Sequence, residues 1–135
     1  MESPLRVVIC DDSLGFPTLL RTWLREDGRF EVVGMATGGE RAKDIVAEQH
    51  PDAIVLDLVL PDAPDSPALV RALRERHPPL RVMMISSLHN EALQNAANAA
   101  GADGFCNKGA TAAELTERLY VVATAGGSST ENRLP

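Results

Sequence analysis

Four strand-like runs in this chain end in residues that can do chemistry. Asp11 and Asp12 stand side by side after the apolar run "LRVVIC", Asp57 lies inside "IVLDLVLP", Ser86 and Ser87 follow "VMMI", and Lys108 follows "GFCN". An unpaired charge among apolar neighbours is expensive, so Asp57 above all calls for a partner. If the strand ends converge, three carboxylates repel and raise one another's pKa. A divalent cation resolves that conflict, and oxygen-only ligands suit Mg2+ better than zinc or copper. The same site would offset the charge of an incoming phosphoryl group, leaving a carboxylate to act as nucleophile and form an aspartyl phosphate. Of the 13 Lys and Arg residues only Lys43 and Lys108 are lysines. A chain that otherwise prefers arginine thus keeps a compact ammonium where a point charge would meet phosphate. Plainer uses exist for the same residues. Asp12 or Ser13 could cap a helix, Ser86 could be a turn residue, and Lys108 before Gly109 could be a solvated turn lysine.

The elements that must position these residues alternate between β-rich apolar runs and helix-period segments, the pattern of a parallel sheet covered on both faces. "LRVVIC" is followed by "FPTLLRTWLRED", with Phe16, Leu19, Leu20, Trp23 and Leu24 on one helical face and Gly28 as the stop. "FEVVGMA" is the second strand and "GGERAKDIVAEQH" the second helix, with Ala42, Ile45 and Val46 inward and Pro51 closing it. "DAIVLDLVL" is the third strand. The helix after it spans about 66–77 and stops before Pro78 and Pro79. "LRVMMISS" is the fourth strand, "NEALQNAANAAGA" an alanine-rich helix capped by Gly101, "DGFCNK" the fifth strand. "TAAELTERLYVVATA" is a last amphipathic helix opened by a Thr111/Glu114 capping box. Five βα units result. In open parallel sheets ligands bind beyond the carboxyl ends of the strands, where the candidate residues lie.

Composition narrows the function classes. With 135 residues, 44% hydrophobic and 24% charged, the chain suits one globular domain. A net charge of −6 and a pI near 5.0 argue against a nucleic-acid surface, which needs clustered Lys and Arg. The N-terminal apolar run is too short for a secretory signal and no stretch approaches a membrane span, so a cytoplasmic location away from any membrane is expected. Cys10 and Cys106 read as small buried hydrophobes rather than a disulfide. His50, His77 and His89 lack metal-ligand spacing. "GMATGGE" follows a strand but lacks the G-x-G-x-x-G order of a nucleotide site. The ending "GGSSTENRLP" has no apolar period and reads as a linker or flexible tail, 126–135, after a domain of 1–125. A linker with nothing after it suggests a longer natural chain.

The set "CDDS", "LDLVLP", "MISS" and "FCNKG" resembles the receiver domain of two-component response regulators, over about Leu5 to Ala125. The resemblance implies a flavodoxin-like α/β fold, a (βα)5 doubly wound parallel sheet of order 2-1-3-4-5. It makes Asp57 the phosphoacceptor, and Asp11, Asp12, Asp57 and the backbone carbonyl of Val59 the ligands of Mg2+. Ser86 would contact a phosphoryl oxygen and Lys108 pair with it. Phe105, which also fits a core aromatic, falls at the aromatic switch position beside Ser86. The implied partner is a sensor histidine kinase or phosphotransfer protein, and a homodimer is compatible with the resemblance. On this resemblance the domain would catalyse only its own phosphorylation and dephosphorylation. Three departures stand out. Leu60-Pro61 and Asp65 replace a Met-Pro pair and a glycine, and Gly109 replaces the proline after the lysine. The "KGA" ending is closer to receivers of LuxR/NarL-type transcription regulators, so transcription through a DNA-binding domain outside this chain is the expected output. A receiver-like interaction domain that is never phosphorylated is the alternative. An aspartyl-nucleophile phosphatase fits poorly, since Val59 stands where its second Asp would be.

Overall fold

The computed structural model describes residues 3–133, with side chains through 125. Five parallel strands, β1 (Leu5–Cys10), β2 (Phe30–Ala36), β3 (Ala53–Asp57), β4 (Arg81–Ser86) and β5 (Gly104–Asn107), lie in the order β2-β1-β3-β4-β5. The helices between and after them are α1 (Phe16–Asp27), α2 (Gly39–Gln49), α3 (Ser66–Arg76), α4 (Asn90–Ala100) and α5 (Ala112–Arg133). The five βα units are those the apolar pattern predicts, and the strand order is the flavodoxin-like one that the resemblance implies.

Strand alternation sorts the core into two layers. Val8 and Cys10, Ile54 and Leu56, Val82 and Met84 face α2, α3 and α4. Val7 and Ile9, Ala53 and Val55, Met83 and Ile85 face α1 and α5. Cys10 and Cys106 therefore lie on opposite faces of the sheet, both buried and free. Ala42, Ile45 and Val46 of α2 point inward as the helical period requires.

Local chemistry sets most element ends. Gly28 and Gly101 close α1 and α4 with φ of 89° and 80°, the left-handed conformation glycine adopts without a side-chain penalty. Thr111 and Glu114 form the reciprocal box at the start of α5: each backbone N–H donates to the other's side chain. Asp65 sits before α3 with φ −93°, and its carboxylate accepts the Ala68 N–H at 3.0 Å. The aspartate in place of a glycine is thus a helix cap.

One helix face and two element ends differ from the sequence reading. Leu19 is 46% exposed rather than inward, because it is one residue, about 100° of turn, from Leu20. The buried stripe of α1 runs through Leu20 and Leu24, with Phe16 and Trp23 packed at its edge. β3 stops at Asp57 instead of continuing to residue 60, because the Val59 N–H turns back onto the Asp57 carboxylate. The helical backbone of α5 runs on to Arg133, past the end placed near residue 125. Glycine lowers helix propensity, yet extending a formed helix is far easier than nucleating one.

Replacing Asp65 by Ala removes the α3 cap and should cost about 1 kcal/mol of stability, with Asp65→Gly costing less. Urea melts followed by circular dichroism check this; no loss in Asp65→Ala would show that the cap contributes nothing.

Candidate phosphoacceptor site

The sheet order brings the carboxyl ends of β1, β3, β4 and β5 to one edge, and the last residue of β3, β4 and β5 and the first residue after β1 each carry a short polar side chain that accepts the backbone N–H two residues on. Asp11 Oδ1 accepts from Ser13 N at 2.7 Å and Asp57 Oδ1 from Val59 N at 3.0 Å. Ser86 Oγ accepts from Leu88 N at 3.1 Å and Asn107 Oδ1 from Gly109 N at 2.7 Å. Asp and Asn do this readily and Ser does so more weakly, which lets the chain leave a strand without abandoning its N–H groups.

Lys108, one residue beyond β5, bridges the first and third strands. Its Nζ lies 2.8 Å from Asp11 Oδ2 and 3.0 Å from Asp57 Oδ2. The Phe16 ring lies under the ammonium at 5.3 Å and meets Trp23 edge-on at 6.3 Å, a favourable cation–π and aromatic arrangement. Asp11 and Asp57 are buried, and Asp12 is exposed beside them. Asp11, Asp12 and Asp57 each offer a carboxylate oxygen within 4.8 Å of the others.

The electrostatics follow from one cation among three anions. Burial opposes the charge of Asp11, yet the Lys108 ammonium and both Ser13 donors, N and Oγ, hold its carboxyl below the usual range. Burial pushes the Asp57 carboxyl up, and repulsion from Asp11 adds to this. The Val59 N–H and Lys108 only partly compensate. Burial disfavours the Lys108 charge too, but Asp11 and Asp57 together raise its pKa. Beneath the cluster, burial and the surrounding aspartates push the Cys10 thiol up to about 12, so it stays a neutral, inert SH. Asp11 Oδ2 is buried, and the ammonium of Lys108, which it shares with Asp57, is its one polar partner among the described residues. Three clustered carboxylates, an oxygen-only donor set with one ammonium shared between two of them, fit a hard divalent cation.

The structure thus brings together Asp11, Asp12, Asp57 and Lys108. Ser86 is buried at the same edge with its hydroxyl engaged in its own loop. Phe105 is half-buried, with the Arg118 guanidinium 5.8 Å over its ring. No side chain caps α1, so Asp12 and Ser13 are not spent there. Two features were missed in the sequence. Phe16 was placed only in the core. Asp62 clamps the loop after β3 to α2: its carboxylate accepts the Gly39 N–H at 2.9 Å and the Glu40 N–H at 3.3 Å. A Cβ at Gly38 would meet Asp62 Oδ2 at 2.7 Å, which explains a glycine there. The helix N-terminus in "GMATGGE" that could have held a phosphate therefore holds the chain's own carboxylate. Nothing local in the sequence joins Asp62 to a glycine pair 23 residues earlier.

A family model described as the response regulator receiver domain matches residues 7–120. The chain belongs to this family. As a receiver domain it is a module of two-component signalling. It is 42% identical over 119 residues to protein-glutamate methylesterase/protein-glutamine glutaminase 5 of Myxococcus xanthus, covering 87% of this chain and 33% of that protein. It is 31% identical over 125 residues to the transcriptional regulatory protein DegU of Brevibacillus brevis, covering 93% of this chain and 52% of that one. The chain thus spans between a third and about half of these relatives. Among solved structures, the signal receiver domain of NarL from Mycobacterium tuberculosis superposes with a TM-score of 0.82 at 30% identity, over 90% of this chain and 98% of that one. Among the described residues no helix is long and apolar enough to cross a membrane.

The raised Asp57 carboxyl has a stability consequence. The folded receiver binds that proton more tightly than the unfolded chain, so ionising Asp57 costs stability as pH rises above the ordinary carboxyl value of about 3.9. In EDTA, Asp57→Asn should melt above wild type at pH 7, with the gap closing as pH falls below 4. Calorimetry across pH measures it, and a gap that is absent or grows on acidification would contradict the assigned charge balance.

Proposed function

We propose that this receiver takes a phosphoryl group onto Asp57 from a sensor histidine kinase or phosphotransfer protein, in a Mg2+-dependent reaction, and changes conformation to control an output. The observation that carries the reading is the buried Asp57 carboxylate at the end of β3. One oxygen is on the Val59 N–H, the other on Lys108, and two further carboxylates lie within reach. A structural ion pair needs one carboxylate; three around one ammonium leave an excess of negative charge that a functional cation would balance.

Asp11, Asp12, Asp57 and the Val59 carbonyl would hold the metal. When bound, Mg2+ would supply positive charge that offsets both the carboxylates and the incoming phosphoryl oxygens. An Asp57 oxygen attacks phosphorus as the bond to the donor's imidazole nitrogen breaks, and the electron pair leaves with that nitrogen. Lys108 keeps its proton throughout, moving its ammonium from the Asp57 carboxylate to a phosphoryl oxygen. The Ser86 hydroxyl donates to another phosphoryl oxygen, and Phe105 on the adjacent strand follows Ser86 between two states. Such a switch needs only a shift of a few kcal/mol between existing conformations. The domain acts on its own phosphoryl group alone.

For the output, transcription through a DNA-binding domain follows the LuxR/NarL-type resemblance and the DegU match. The higher identity to a methylesterase supports a second reading, control of a methylesterase domain. In either case this chain does not itself bind nucleic acid, residues 1–125 are the receiver, 126–135 lead to the output, and the protein works in the cytoplasm, with a homodimer as the assembly to look for.

Incubation with acetyl phosphate and Mg2+, followed by intact-mass spectrometry, tests the reading. A single phosphoryl adduct that requires Mg2+ and vanishes in Asp57→Asn is expected. A folded chain that takes no phosphoryl group would overturn it in favour of an interaction domain that signals by binding alone.

A further inference from the structure

Asn107 has no part in the chemistry above, yet its side chain joins the two loops that carry Ser86 and Lys108. Its Nδ2 donates to the Leu88 carbonyl at 2.6 Å and its Oδ1 accepts the Gly109 N–H at 2.7 Å. The two partners fix the amide's orientation, since a carbonyl must face NH2 and an N–H must face oxygen. Leu88 is held at both polar backbone groups, because its N–H donates to Ser86 Oγ at 3.1 Å. Among the described residues the Ser86 hydroxyl is bonded within its own loop and not to Asp57 or Lys108. The glycine after Lys108 belongs to the same device. Proline has no N–H to give Asn107, and a Cβ at residue 109 would lie 3.1 Å from Asn107 Oδ1, tighter than ordinary contact.

We propose that Asn107 is a positioning residue, a latch that ties the loop between β4 and α4 to the loop between β5 and α5 and holds the receiver in its resting conformation. The inference rests on the phosphoacceptor reading for its purpose. Its geometry is independent of it. While the latch is closed, Leu88 is fixed from both sides and the Ser86 hydroxyl is kept on Leu88. Movement of Ser86 toward a phosphoryl group on Asp57 opens the Leu88–Asn107 bond, and Lys108, the neighbour of Asn107, shifts in the same event. The departure from proline at residue 109 thus couples the two loops through one side chain.

Two variants separate the halves of the latch. Asn107→Asp can still accept the Gly109 N–H but cannot donate to Leu88. Asn107→Leu loses both bonds without adding charge. In the metal-free resting protein, amide hydrogen exchange followed by NMR should show faster exchange at Leu88 in both variants, with Gly109 still protected in Asn107→Asp and exposed in Asn107→Leu. With Mg2+ and beryllofluoride as the phosphoryl mimic, Asn107→Leu should reach half-saturation at a two- to tenfold lower concentration than wild type, the change expected for one neutral hydrogen bond lost from the resting state alone. Unchanged Leu88 exchange, or beryllofluoride affinity that is equal or weaker in a variant with wild-type fold, would overturn the latch. Failure of wild type to bind beryllofluoride would instead count against the phosphoacceptor reading, and the exchange data would still decide whether Asn107 restrains the loop.

Discussion

One ammonium shared by two buried carboxylates is the constraint on which the rest of this molecule depends. Lys108 comes from the end of β5, Asp11 from the end of β1 and Asp57 from the end of β3, and each is paid for in desolvation. In the sheet β1 and β3 are neighbours and β5 lies two strands beyond β3, so their carboxyl ends share one edge and the long lysine side chain spans the gap. The charge balance is left incomplete: Lys108 and Ser13 hold Asp11 down, whereas burial and the repulsion of Asp11 push Asp57 up despite the same lysine. That residual imbalance is where a metal and a phosphoryl group would find their affinity.

The loops around the cluster are built by repetition of one local device. After β1, β3, β4 and β5 in turn, a short polar side chain at the strand end accepts the backbone N–H two residues later. The residues that carry the chemistry, Asp11, Asp57 and Ser86, are therefore also the residues that turn the chain. This leaves little room to change one role without the other. Asp62 and Asp65 extend the principle into the loop after β3, one capping α2 across the gap and the other capping α3. A loop with two prolines, Pro61 and Pro64, and two capping carboxylates is positioned by its own chemistry together with the burial of Leu60.

Much of this was legible in the sequence. Apolar runs of strand length, helix-period stripes and the glycine and capping-box signals are local, and they yielded the five βα units. Asp11, Asp12, Asp57 and Lys108 could be picked out because charge at the end of an apolar strand is conspicuous. What stayed hidden depends on partners distant in the chain. Asp62 meets Gly38 and Gly39, Phe16 lies under Lys108, and Asn107 reaches Leu88. None of these pairs leaves a spacing signal. The exposure of Leu19 and the early end of β3 have a different cause. There the apolar pattern ran one residue too wide or three too long, and a side-chain hydrogen bond or the helical pitch decided the boundary.

NMR with Mn2+ in place of Mg2+ decides whether the carboxylate cluster is a site for one divalent cation. Broadening should begin at the amides of Asp11, Asp12, Asp57 and Val59, saturate at one ion per chain, and be largely lost in Asp12→Asn, whose exposed side chain can be changed without disturbing the core. Broadening spread over the acidic surface, or unchanged by that substitution, would contradict a site for one cation.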